Sequence, residues 1–260
     1  MLGLHLYAVT GMPRVRPGDD LAELVAAALR QLGLQLQLGD VLVVAHKVVS
    51  KAEGRLVDLR QVRPSPQAQE LASRSGKDPR LCELILQESR AILRVRPGLI
   101  VAEHRLGFVC ANAGIDRSNV AGAEPVVALL PEDPDASARR LRYGLYCKTG
   151  VAPAVVVCDS HGRPFRRGAV GVSIGVAGLF PLLSESGRED LYGYVLQHTE
   201  EAVADELASA ATLLMGQSAE GVPAVLVRGL LEVRDAVRAW GHPEAAAGAL
   251  LRPPEEDLFR

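Results

Sequence analysis

An unbroken apolar run, Val41-Leu42-Val43-Val44-Ala45, limits the fold of this 260-residue chain more than any other feature of its sequence. A short, continuous run rich in β-branched side chains is typical of a buried strand. The turn signal Gly39-Asp40 precedes the run, and we interpret the polar residues 46–53 as the exit from the strand. The sequence therefore predicts a sheet with this strand in its interior.

Helices are predicted from their apolar spacing and from their start and stop residues. Apolar side chains recur at helical spacing over residues 21–32, with Asp20 as the start and Gly33 as the stop. The same spacing covers residues 200–215, where Gly216 ends the helix. A capping residue followed by proline predicts three more helix starts, at Ser65-Pro66, Asp78-Pro79 and Asp133-Pro134.

Further apolar runs are predicted as strands, and they do not alternate regularly with the helices. A short turn between two of them predicts a hairpin over residues 99–111. Strand pairs beside strand–helix pairs indicate an α+β fold with mixed sheets and flanking helices, not a doubly wound one. Glycines 168, 171, 175 and 178 lack the spacing of a dinucleotide loop, so they predict close backbone packing or a bulged strand. The strand runs are 99–102, 108–111, 155–158 and 224–227.

The composition and net charge of the chain argue against some classes of binding partner. Hydrophobic residues make up 48% of the chain, enough for one large domain or two modest ones. Because the net charge is only −2, the chain as a whole attracts neither nucleic acid nor a membrane surface. Gly11, Pro13 and charged residues come before any long apolar run, which predicts a cytoplasmic protein without a signal peptide or membrane span.

The four cysteines predict buried reduced thiols. Cys82, Cys110, Cys147 and Cys158 form no C-x-x-C pair, and two of them lie inside apolar strand-like runs. A redox or zinc site is the less favoured alternative.

Polar segments at the ends of apolar elements carry the candidate functional residues. The sequence contains no G-x-x-x-x-G-K-[ST] phosphate loop, no H-E-x-x-H zinc helix and no G-x-S-x-G nucleophile elbow. Asp116 and Asp159 are candidate ligands of a hard cation, and Ser160 offers a hydroxyl ligand. Lysines and arginines of the same segments can bind phosphate. The segments are 11–14, 46–55, 112–119, 159–168 and 215–221.

Each candidate also has an ordinary structural interpretation. Asp116 fits an Asx turn as well as it fits a metal site, and residues 159–162 fit a hairpin turn equally well. The lysines at 47 and 51, four residues apart, fit a solvated face, and the histidines at 46 and 161 fit hydrogen-bonding loop positions. The residues alone leave these alternatives open.

Several long strings, in matching order, resemble the coenzyme F420:L-glutamate ligase family from about residue 4 to residue 230. They are VVSKAEGR, GKDPR, ANAGIDRSN, LLPEDPDASA, DSHGRPFRRG, DLYG and ADELASAATLLMGQSAEGVP. The resemblance implies a metal-dependent enzyme in which GTP phosphorylates the terminal carboxylate of a coenzyme F420 precursor. The amine of L-glutamate then displaces phosphate from the acyl phosphate. Such a transfer needs positioned charge and, usually, a divalent ion.

The resemblance also assigns roles to residues. It implies that Asp116, Asp159 and Lys51 are catalytic, with the two aspartates holding one divalent ion, Mg²⁺ or Mn²⁺. Ser160 and Gln217 are expected to help hold a second ion, and potassium is a further expected cation. Lys51 is the expected phosphate clamp. The implied nucleotide contacts are Met12, Pro13, Arg14, Val15, His46, Lys47, Lys51, Asn119, Met215, Gly216, Gln217, Ser218, Ala219, Glu220, Gly221 and Val222.

A homodimer with an intertwined α+β fold is a further implication of the resemblance. We expect a ligase domain over residues 1–245 and a C-terminal tail over residues 246–260. Two other functions stay open: a GTP-binding regulatory protein that has lost ligation, and a ligase of the same mechanism acting on another carboxylate. The joint presence of Asp116, Asp159, Lys51 and Asn119 argues against the first of these.

Overall fold

The computed structural model describes residues 3–120, 125–230 and 245–257. The α-helices are α1 (Leu21–Gln31), α2 (His46–Ala52), α3 (Pro66–Ser75), α4 (Pro79–Gln87), α5 (Pro134–Thr149) and α6 (Val203–Met215). The strands are β1 (His5–Val9), β2 (Val41–Ala45), β3 (Leu56–Asp58), β4 (Ser89–Arg96), β5 (Leu99–His104), β6 (Val109–Ala111), β7 (Val126–Ala128), β8 (Ala154–Gly162), β9 (Ala169–Ala177), β10 (Leu183–Ser184), β11 (Glu200–Glu201) and β12 (Ala224–Arg228).

A five-stranded sheet in the order β1-β12-β2-β8-β9 forms the centre of the fold. The β2–β8 pair is parallel and the other pairs are antiparallel. Leu42 and Val44 face one cluster of buried residues with α1 and α5, whereas Val41 and Val43 face a second cluster with α6. Both faces of β2 are therefore covered, as its unbroken apolar run predicts, and the mixed sheet confirms the α+β prediction.

Side chains at the predicted helix starts form the expected caps. The Asp20 carboxylate accepts a hydrogen bond from the Glu23 amide, and Asp133 accepts one from the Ala136 amide. Ser65 and Asp78 cap α3 and α4 in the same way. The last predicted helix begins at Val203, a few residues later than its apolar spacing suggests, and ends before Gly216 as predicted.

Two sequence-based interpretations of local structure are wrong. Residues 46–53 are not a strand exit, because His46–Ala52 forms α2, whose buried side chains are His46, Val49 and Ser50. Asp159 and Ser160 do not follow the end of a strand either. Strand β8 continues to Gly162 and pairs with β9, so that Asp159 lies opposite Val172 inside a hairpin.

A smaller unit beside the sheet has its own core. Helices α3 and α4 pack on the three-stranded sheet β4-β5-β6, which contains the predicted hairpin over residues 99–111. Glu88, at the end of α4, links this unit to the segment between α2 and β3, because its carboxylate accepts two hydrogen bonds from Arg55. Arg55 in turn donates to the carbonyl of Leu130, in the segment between β7 and α5.

The described part of the predicted C-terminal tail packs against the sheet. Ala247 is buried, and its amide donates a 3.0 Å hydrogen bond to the Asp135 carboxylate near the start of α5. Among the described residues, no helix is long and apolar enough to cross a bilayer. Cys82, Cys110 and Cys158 are buried and free, as predicted, whereas Cys147 is free and exposed.

Gly175 in β9 lets helix α5 approach the sheet closely. A Cβ atom at this position would overlap backbone atoms of Pro134, the first residue of α5. The register of β8 and β9 also shifts between Val157 and Cys158. Both features confirm the prediction of close packing or a bulge from the glycine spacing.

We expect Gly175→Ala to lower the free energy of unfolding by about 1–3 kcal/mol, the usual cost of overpacking a rigid core. Chemical denaturation measures the change. Gly162→Ala is the matched control, because a Cβ at Gly162, in the same hairpin, meets no atom within 4 Å. Equal stability of the two variants would contradict the close approach.

Candidate functional site

The parallel pairing of β2 and β8 creates the centre of the site. Ala45 lies beside Cys158 in the register, so His46 and Asp159, the next residues, emerge side by side. His46 is the first residue of α2, and Asp159 stays in the ladder of β8 and β9. Both side chains are therefore supported by regular structure on rigid elements.

Asp116 reaches the same point from a loop held in an unusual backbone conformation. Asn112, Ala113 and Gly114 have φ values of 52°, 52° and 65°, a left-handed turn that costs free energy at the two non-glycine positions. Backbone hydrogen bonds in both directions then tie Asp116 to Ala128. Its carboxylate contacts His46 and Lys47, as a site residue would, instead of capping an Asx turn.

His46 lies between the two carboxylates. Its Nε2 atom is 3.0 Å from Asp116 Oδ2 and 3.3 Å from Asp159 Oδ1, and the residue is only 2% exposed. Burial alone lowers the pKa of His46, but the two carboxylates outweigh it and raise the pKa to about 9.

Asp159 also binds a second histidine. Its Oδ2 atom is 3.0 Å from His161 Nε2, and its Oδ1 accepts a 2.6 Å hydrogen bond from the Ser160 amide. Burial raises the pKa of Asp159, yet His46 and His161 together hold it well below its usual range. Asp159 is therefore a buried carboxylate that stays charged.

Three cationic side chains face the space beside these carboxylates, namely Arg14, Lys47 and Lys51. Lys51 donates a 2.6 Å hydrogen bond to the carbonyl oxygen of Asn119, and Lys47 donates to the Ser118 hydroxyl. Burial lowers the pKa of Lys51, and the positive charges of Lys47 and Arg14 lower it further. Lys47 and Lys51 thus lie on the face of α2 that is turned toward this space, and both are half-buried there, which does not fit a fully solvated face.

The loop that follows α6 encloses the other side of this space. Gln217 donates a 2.9 Å hydrogen bond to the Ser160 hydroxyl, and Asn119 donates one of 2.7 Å to the Ser218 carbonyl. The structure thus brings the predicted second-ion pair, Ser160 and Gln217, together beside Asp159. Glu220 accepts a hydrogen bond from the Ser218 amide and shapes the loop.

A single cavity of about 880 Å³ joins these groups. All the residues predicted for nucleotide and metal contacts line it, with the exception of Glu220. Sequence reasoning missed several lining residues, although most of them lie in or next to strings that it singled out. They are Ala45, Val48, Arg117, Ser118, Val120, Cys158, Ala169, Thr212 and Pro223.

Comparison with known proteins identifies the family. A family model described as F420-0:Gamma-glutamyl ligase matches residues 11–229. The chain belongs to the F420-0:gamma-glutamyl ligase family. The coenzyme F420:L-glutamate ligase of Methanothermobacter thermautotrophicus is 51% identical over 261 residues, and that of Methanopyrus kandleri is 50% identical over 264, each alignment covering all of both chains. The Archaeoglobus fulgidus protein of that name is 43% identical over 257 residues, covering 99% of this chain and 96% of its own.

The ligase family match covers the whole cavity, since its lining residues fall between Met12 and Pro223. The similarity to the named F420 ligases extends further than the strings of the sequence analysis suggested, because it includes the last thirty residues.

The residues present fit a divalent ion of the kind expected for this ligase family. Donor atoms of His46, Asp116 and Asp159 lie within 4.8 Å of one another. A hydroxyl and an amide side chain, those of Ser160 and Gln217, lie next to Asp159. Carboxylate and other oxygen donors suit Mg²⁺ and Mn²⁺.

Proposed function

We propose that this protein is a GTP-dependent, metal-dependent ligase that joins L-glutamate to a carboxylate of the coenzyme F420 precursor. The observation that carries the proposal is the charge inside one cavity. The carboxylates of Asp116 and Asp159 line it together with the cations Arg14, Lys47 and Lys51. A nucleoside triphosphate with its divalent ion needs both kinds of group. The names of the relatives supply the two substrates.

The proposed reaction has two steps. A carboxylate oxygen of the F420 precursor attacks the γ-phosphorus of GTP, the bond to the β-phosphate oxygen breaks, and GDP leaves. The glutamate amine then attacks the carbonyl carbon of the acyl phosphate, loses a proton, and expels inorganic phosphate as the amide bond forms. The first step converts a poor leaving group into a good one, which makes amide formation downhill.

In this proposal the protein acts mainly by positioning charge. Arg14, Lys47 and Lys51 bind oxygens of the triphosphate, and the loop after α6 encloses the nucleotide. Asp116 and Asp159 hold a divalent ion, Mg²⁺ or Mn²⁺, which neutralises phosphate charge when it is bound. In the same proposal Ser160 and Gln217 help to hold a second divalent ion, and potassium is a further proposed cation.

The decisive experiment mixes the purified chain with GTP, Mn²⁺, L-glutamate and the glutamate-free coenzyme, and detects product by mass spectrometry. We expect glutamylated coenzyme and GDP, little product with ATP, and none in excess chelator. Tight GTP binding without product would favour the regulatory protein. Product only with another carboxylate acceptor would favour a related ligase. Sedimentation velocity tests the homodimer that we also propose.

Lys51→Ala should weaken GTP binding by about 10- to 100-fold, because a charge-assisted hydrogen bond in a partly buried site contributes about 1.5–3 kcal/mol. The fold should persist, since the variant loses only the bond to the Asn119 carbonyl. Isothermal titration calorimetry with GTP and Mn²⁺ measures the change.

Lys77→Ala is the matched control for this measurement. Lys77 precedes α4 and is not among the residues that line the cavity. If both variants bind GTP as the wild type does, Lys51 has no phosphate-binding role.

A further inference from the structure

His46 occupies a position that its expected role as a nucleotide contact does not explain. The side chain is buried, and its Nε2 atom points at Asp116 Oδ2 and Asp159 Oδ1 at 3.0 and 3.3 Å. We propose that His46 is a third protein ligand of the divalent ion, which makes the site one imidazole nitrogen and two carboxylates. This inference rests on the proposed metal dependence of the enzyme and specifies the ion that it takes.

The distances suit such a site. Two neighbouring ligands of an octahedral ion, each bound at about 2.1–2.2 Å, lie about 3.0 Å apart. The His46 nitrogen has nearly that separation from each carboxylate oxygen. A divalent ion at the centre can therefore replace the hydrogen bonds of His46 with only small side-chain rotations.

The surroundings hold the imidazole ring in a suitable orientation. Its other nitrogen, Nδ1, is 3.4 Å from the hydroxyl of Ser50, one turn further along α2, and Ser50 is fully buried. With Nδ1–H facing this hydroxyl, Nε2 is the nitrogen that gives up its proton to solvent when the ion binds, and its lone pair is then directed at the space between the two carboxylates. Partners of this kind commonly orient the histidines that bind metals.

A nitrogen ligand changes which ion the site prefers. Mg²⁺ strongly favours oxygen ligands, whereas Mn²⁺, Fe²⁺ and Co²⁺ accept imidazole readily. With His46 as a ligand, the site should discriminate in favour of these transition ions. With two aspartates alone, the site should discriminate much less.

The test uses Mn²⁺ and the full chain without nucleotide or an affinity tag. Pulsed electron paramagnetic resonance of the Mn²⁺-loaded protein should show nitrogen modulation from one bound imidazole. His46→Gln should abolish the modulation and weaken Mn²⁺ binding at least tenfold, while Mg²⁺ binding changes less than threefold. Ser50→Ala should retain the modulation and bind Mn²⁺ up to about tenfold more weakly.

His161→Gln is the matched control, because His161 also contacts Asp159 but from its other oxygen. This variant should retain the modulation. Loss of the modulation in His161→Gln, its survival in His46→Gln, or its absence from the Mn²⁺-loaded wild type would overturn the assignment. If His46→Gln does not fold, wild type and His161→Gln labelled with ¹⁵N-histidine decide the question through the altered nitrogen signal.

The same measurements separate this inference from the proposed function. If Mn²⁺ binds with nitrogen modulation but no glutamylated coenzyme forms, the ligase proposal fails and the His46 assignment stands. If the ligase is active and the bound Mn²⁺ has no nitrogen ligand, only the His46 assignment fails. A wild type that binds no divalent ion contradicts both.

Discussion

Asp159→Asn should reduce ligation by a hundredfold or more. Asparagine keeps the shape of the side chain, but it brings no negative charge to a divalent ion, and loss of a charge-stabilising group from an active site has effects of this size. The Asp159 carboxylate is buried, and both of its oxygens have partners, so a neighbouring group cannot easily replace it. The measurement is the rate of glutamate addition at saturating GTP and Mn²⁺.

The fold of this variant should be much less affected than its rate. The asparagine oxygen can still accept a hydrogen bond from the Ser160 amide or from a histidine, so a loss of about 1–2 kcal/mol is expected. For a chain of this size, that loss lowers the melting temperature by a few degrees. The stabilising shift that we expect Mn²⁺ to cause in the wild type should be absent from this variant.

Asp205→Asn provides a matched control for this carboxylate. Asp205 is a half-buried aspartate in α6 whose Oδ1 atom accepts a 2.7 Å hydrogen bond from the Ser173 amide, and it does not line the cavity. An amide oxygen serves that bond equally well, so turnover should survive. Near-normal turnover and a normal Mn²⁺ shift in Asp159→Asn would show that Asp159 is not a metal ligand.

Glu88→Ala should lower the free energy of unfolding by about 2–4 kcal/mol, because it leaves partly buried cations without their counter-charge. The Glu88 carboxylate accepts hydrogen bonds from Arg55 at 3.0 and 3.1 Å and from Arg105 at 3.0 Å. Chemical denaturation of Glu88→Ala and of Glu70→Ala measures the effect. Glu70 is a suitable control, since its side chain is 71% exposed and its ion pair with Arg74 spans 3.9 Å.

The contribution of Glu88 should also depend on pH. Burial alone raises the pKa of Glu88, but His104, Arg105 and Arg55 outweigh it and lower the pKa from 4.5 to about 2. A carboxyl group whose pKa is lower in the folded chain stabilises that chain fully above pH 4.5. The stabilisation is lost as the pH falls from 4.5 towards 2. The stability difference between wild type and Glu88→Gln should therefore shrink in this window, and a constant difference would contradict the assignment.

The sequence predicted helices and strands well where their start or stop depends on residues only a few positions apart. The caps at Asp20, Ser65 and Asp133 are examples, because each depends on its own side chain and the next turn. Helix α2 was not predicted from the sequence, for two physical reasons. Its start at Ala45 has no side-chain cap, and Val48-Val49 continues the β-branched character of the preceding strand.

The candidate site was predicted as separate segments, and the sequence could not show how they meet. The position of His46 beside Asp159 depends on the parallel register of β2 and β8. The contact of His46 with Asp116 depends on a left-handed turn and on backbone bonds to Ala128. These features belong to the tertiary structure. The position of His46 between Asp116 and Asp159 is therefore visible only in the folded chain.

The pairing of β2 with β8 also has a consequence for the order of folding. The two strands are far apart in the sequence, and β1 pairs with β12 from the opposite end of the described chain. Contacts of this kind form slowly, because long loops must close before any contact offsets the lost entropy. The capacity to bind a metal ion should therefore appear late in refolding, together with the central sheet. Mn²⁺ uptake during refolding would then report completion of the sheet, while a chain with only its local helices would bind none.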